Sequence, residues 1–147
     1  MEPKHKGLKQ ACRKNQYKLR LTFMEGDCDG YAYGEVYSPS FDGEIAALYN
    51  LYSGLLREYK KGPWHKPETD HDIAVKAVME TPALRSVAVE NEKYAEDHVN
   101  EYLHDLGHGC YGPSYDFPRR IYGVELTHFD DVGDEYFVQT EGEQGEL

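Results

Sequence analysis

The stretch QYKLRLTFME, residues 16–25, alternates almost without a break. Tyr17, Leu19, Leu21 and Phe23 fall on one side, and Lys18, Arg20 and Thr22 on the other. Successive strand side chains point to opposite faces, so the pattern is that of a half-buried strand. GDCDG (26–30) is a turn, because Asp and Gly supply the backbone freedom a reversal needs. YAYGEVY (31–37) returns with Tyr31, Tyr33 and Tyr37 on one face. The two strands make an antiparallel hairpin. Gly34 and Gly123, each inside a strand, mark bulges or close packing.

The pattern then changes period. Ile45, Leu48, Tyr49, Tyr52, Leu55, Leu56 and Tyr59 follow at helical spacing, which predicts a helix over 42–60 with Ser40 or Asp42 at its N-cap. Gly62, Pro63 and Pro67 break it. ETDHDIAVKAVME (68–80) reads as a second helix, and Thr81-Pro82 punctuates the chain. LRSVAVE (84–90) fits either a short strand, through β-branched Val87 and Val89, or the start of another helix. Asn91 caps a helix over 92–106 whose apolar stripe is Ala95, Val99, Tyr102, Leu103 and Leu106. RRIYGVELTHF (119–129), DDVGD and EYFVQT (135–140) read as strand, turn and strand.

The order ββα-α-(β)-αββ predicts an α+β fold in a single domain. Hairpins from the two ends of the chain would form one antiparallel sheet, packed against about three helices. Residues 1–15 are a basic lead-in, 16–140 the domain and 141–147 an acidic tail. A chain of 147 residues can bury a core without metal or disulfide staples. Its 13 tyrosines, against five Phe and one Trp, suit the wet edges of that core and binding surfaces. Three widely spaced cysteines, Cys12, Cys28 and Cys110, make no disulfide framework and fit a reducing compartment. With no apolar run long enough to span a bilayer and no secretory signal visible, a soluble cytoplasmic protein is expected.

Charge is distributed unevenly. Residues 1–20 carry seven Lys or Arg against Glu2, a sum of +6, so the other 127 residues sum to −17 of the net −11. After Arg120 come eight acids and no Lys or Arg. Such a field repels nucleic acid and attracts basic surfaces. Direct contact with nucleic acid is expected only through residues 1–20.

HDLGHGC (104–110) is the most site-like motif. His104 and His108 have the i, i+4 spacing of the zinc motif H-E-x-x-H, with Asp105 in place of Glu. The shorter Asp moves a base away from metal-bound water. Gly107 stands at a helix C′ position, so His108 beyond it would not stack above His104. His104, His108 and Cys110 remain acceptable zinc ligands around a turn, and His71 in TDHD could join from another helix. Cys28 lies between two acids, which opposes thiolate formation. DDVGDE lacks the ligand alternation of a calcium loop. No phosphate-binding Gly loop and no nucleophile elbow is present.

Three functions are therefore weighed. The first is a non-enzymatic acidic interaction protein that docks on a basic surface of a partner through Glu125, Asp130, Asp131, Asp134 and Glu135. A phage- or plasmid-type inhibitor that mimics nucleic acid and blocks a nucleic-acid-binding defence or regulatory protein has this size and charge. No cofactor is expected for it. The second is a nucleotide or anion binder using Arg119 and Arg120 with Tyr111, Tyr115 and Tyr122. The third is a zinc hydrolase or zinc-stabilised domain at His104, His108 and Cys110.

Overall fold

The computed structural model describes residues 13–25, 31–61, 67–108 and 119–142. Strand β1 (Gln16–Glu25) pairs antiparallel with β2 (Tyr31–Ser38) on one side and with β3 (Arg119–Phe129) on the other. β3 pairs antiparallel with β4 (Glu135–Gly142), giving the sheet order β2-β1-β3-β4. The two hairpins thus join through β1 and β3, and each leaves one strand at an edge. β4 runs two residues past the strand expected over 135–140, into the stretch read as tail.

Among the described residues four helices stand between β2 and β3: α1 (Gly43–Lys61), α2 (Pro67–Glu80), α3 (Pro82–Ala88) and α4 (Ala95–Asp105), the last entered by a 3₁₀ turn over Glu92–Tyr94. They pack on the sheet face carrying Leu19, Leu21, Phe23, Ile121, Val124 and Leu126, all buried. Ile45, Leu48, Tyr52, Leu55 and Leu56 of α1 meet them, and Val99 and Leu103 of α4 complete the core. This is the α+β arrangement the patterning predicts. No helix of the described residues is long and apolar enough to cross a membrane.

The ambiguous stretch 84–90 is mostly helix. Thr81 is the N-cap and Pro82 opens the first turn, where its missing N–H costs nothing. Leu84 and Ala88, four apart, are buried on one side, while Val87 faces outward. Asn91 accepts a hydrogen bond from the Lys93 N–H at 2.9 Å, so it caps the 3₁₀ turn ahead of α4.

The end of α4 sets the place of His108. Gly107 N–H donates to the His104 carbonyl and His108 N–H to the Leu103 carbonyl, each at 2.9 Å. This pair of bonds with a left-handed glycine (φ +97°) is a Schellman ending. It turns His108 inward, off the helix axis. Gly34 of β2 lies against the same ending. A methyl group there would stand 2.6 Å from the Leu106 carbonyl oxygen.

Candidate interaction surface

The β3–β4 turn is built by Asp130. Its carboxylate accepts hydrogen bonds from the Val132 and Asp134 N–H groups, both at 2.9 Å. Gly133 takes a positive φ of 95° and donates to the Asp130 carbonyl. Burial opposes ionisation of Asp130, but these backbone N–H groups outweigh it and hold the carboxyl below its usual range. Asp130 is thus committed to the turn, whereas the side chains of Asp131 and Asp134 stand exposed.

The apolar side chains of the turn and of the first half of β4 are exposed. Val132 is 62% exposed, Tyr136 56%, Phe137 72% and Val138 50%. Tyr136 and Phe137 are consecutive strand residues, so they project to opposite faces. Both reach solvent, although α1 approaches β4, so the helices cover this strand only in part. The β3–β4 register shifts between Leu126 and Thr127, leaving Val138 as the extra residue of a bulge. The carboxylates of Asp130 and Asp134 push the Tyr136 phenol upward, so the negative field reaches the apolar side chains.

On the sheet face away from the helices, Tyr37, Lys18, Thr127 and Phe137 form one cross-strand row. Lys18 bridges Glu135 at 2.7 Å, and Thr127 donates to the same carboxylate at 3.0 Å. The bond to Lys18 is the main reason that Glu135 ionises below its usual range. Arg20 and Glu125 are register partners, and the Arg20 guanidinium lies 3.7 Å from the Tyr33 ring centroid. Of the five acids expected at the surface, Asp130, Asp131, Asp134 and Glu135 gather at the turn. Glu125 stands further along β3, opposite a cation. They form no single row, and apolar groups are interleaved with them.

The residues proposed for an anion or a metal are placed elsewhere. Arg120 is buried near Asp70, and Tyr122 packs against Tyr31 with ring centroids 5.1 Å apart. Tyr111, Tyr115, Cys110 and the Arg119 side chain lie outside the described residues. His104 is half-buried on α4. His108 is buried, stacked on Phe23 with centroids 4.7 Å apart, and shares a 2.9 Å hydrogen bond through Nδ1 with the Tyr52 hydroxyl. Among the described residues no group of three or more His, Cys, Asp or Glu is arranged to hold a metal ion.

One buried polar joint escaped the sequence reading as a unit. His71 meets the His108 ring edge-on at 5.5 Å and donates from Nε2 to the Asn100 side-chain oxygen at 2.8 Å. Neighbouring Asp70 is fully buried, and burial pushes its carboxyl up to about 7. A hydrogen bond from the Ile121 backbone and the charge of Arg120 pull the other way. The joint ties α1, α2, α4 and β3 together. In TDHDIAVKAV four polar residues run together ahead of the first apolar one, so no pattern there marks Asp70 as interior.

Comparison with protein-family models, with curated proteins and with solved structures found no match for this chain.

Proposed function

We propose that this chain is a non-enzymatic interaction protein that docks on a basic surface of a partner protein through its β3–β4 hairpin. The observation that carries the reading is the exposure of Val132, Tyr136, Phe137 and Val138 beside Asp131 and Asp134. Exposed apolar groups rimmed by charge mark interaction sites, and here they lie on both faces of one edge strand and its turn. Aromatic side chains supply the desolvated centre of an interface, and the surrounding charges supply steering and specificity. The chain, acidic at net −11, favours a basic partner. Nucleic-acid-binding proteins are the chief bearers of such surfaces. An inhibitor that blocks one, of the kind carried by phages and plasmids, is the form we favour; size and charge alone support that form.

Affinity capture from a nuclease-treated extract of the producing cells tests the reading. The bait is compared with Asp131→Lys/Asp134→Lys and with Phe137→Ser, at low and high salt. A basic protein captured by the parent, weakened about tenfold or more by either variant and released by salt, is the expected result. A partner retained equally by all three baits places the docking surface elsewhere.

A further inference from the structure

β4 is an edge of the sheet, and among the described residues its outer side pairs with no strand. An edge strand presents a row of N–H and C=O groups that another strand can complete. Edges are ordinarily blunted by Lys, by Pro or by shortness. β4 spans eight residues and contains neither Lys nor Pro. Its protection comes from the bulge at Val138 and from its acidic side chains. The other edge, β2, also exposes Tyr31 and Tyr33, but its backbone at Tyr33 and Gly34 lies close to Gly107 and Leu106, and Arg20 stacks on one face of the Tyr33 ring.

We infer that β4 takes up an extended basic segment of the partner as a fifth strand. This rests on the docking reading above and states its mode. Charge selects the occupant. Residues 130–142 carry Asp130, Asp131, Asp134, Glu135 and Glu141, with no Lys or Arg. A segment with cations at its ends and β-branched or aromatic residues between them complements that pattern. A second copy of this chain does not. Antiparallel self-pairing sets Glu135 and Glu141 of each copy in one seam with the turn acids at its ends, Lys18 at Glu135 being the one base beside it, and opposed like charges are destabilising. The acids that attract a basic strand therefore also keep the edge from pairing with itself.

The probe is a synthetic peptide, Lys-Lys-Thr-Val-Thr-Val-Thr-Lys-Lys, added to the full chain while backbone hydrogen exchange is followed. Slower exchange across Tyr136–Gln139 is the expected result. N-methylation of alternate probe residues removes ladder hydrogen bonds and weakens binding about tenfold. Replacing the probe lysines by Glu abolishes it. Absence of binding, protection confined to other elements, or equal affinity for the methylated probe overturns strand addition. Docking at the hairpin survives that result if the captured partner still distinguishes Asp131→Lys/Asp134→Lys from the parent. If the partner ignores those substitutions, docking itself fails, whatever the peptide does.

Discussion

Asp70 is the residue at which burial and charge conflict most directly. Its carboxyl titrates near 7 in the folded chain against an ordinary 3.8, so the folded state keeps a proton that the unfolded state releases. The sign follows from linkage: this group favours folding most below pH 3.8, and its contribution is lost as pH rises to about 7. Asp70→Asn keeps an acceptor for the Ile121 N–H and removes the titration. The melting temperature of the variant relative to the parent should therefore rise from pH 4 to pH 7 and level off above it. A difference that stays flat across that range contradicts a raised Asp70. Gly34 is constrained by space instead. Gly34→Ala forces a methyl into the Leu106 backbone and should cost about 1–3 kcal/mol, read from the denaturant midpoint. The role of Asp70 does not show in the sequence. Gly34 was legible only as a bulge or a close approach, and the close approach depends on where α4 ends. His108 was legible as lying beyond a glycine cap, but the Schellman turn that carries it onto Phe23 and Tyr52 requires the tertiary fold.

At the scale of elements, the period of the apolar residues carried most of the information. β1 alternates strictly because one face is buried, and α1 repeats at 3.6 because one stripe is buried. The stretch 84–90 stayed open because β-branched Val87 and Val89 favour a strand, while Pro82 at a helix start and the Leu84–Ala88 spacing favour a helix. Tertiary burial decided for the helix over Pro82–Ala88. β4 was legible as a strand but not as an edge with exposed apolar side chains. Its apolar residues are consecutive, and the bulge at Val138 removes the alternation that would assign faces. Exposure gives β4 a separable signature. Phe137→Ser removes a side chain that is 72% exposed, so stability should change by no more than about 0.5 kcal/mol. Partner capture should fall about tenfold. A thermal melt beside the capture assay checks both, and a large loss of stability would make Phe137 a packing residue.

Over the whole molecule, the charge asymmetry was fully legible, but its use was not. The acids could have formed one phosphate-like row; instead four gather at a turn among apolar groups, and two of those four are held internally. What reaches solvent is a mixed surface; in the docking we propose, charge steers and apolar groups hold. Asp131→Lys/Asp134→Lys moves the net charge by +4, from −11 to −7. At low salt the association rate with a basic partner should drop with this change. At about 1 M salt, where screening acts within about 3 Å, parent and variant should converge. The most direct measurement installs a photo-crosslinking amino acid at Phe137, and separately at Val87, which is also exposed but lies on α3. Adducts with a basic protein from position 137 and none from position 87 are predicted. Adducts from 87 alone, or equal adducts from both, would contradict the placement of the docking surface on the β3–β4 hairpin.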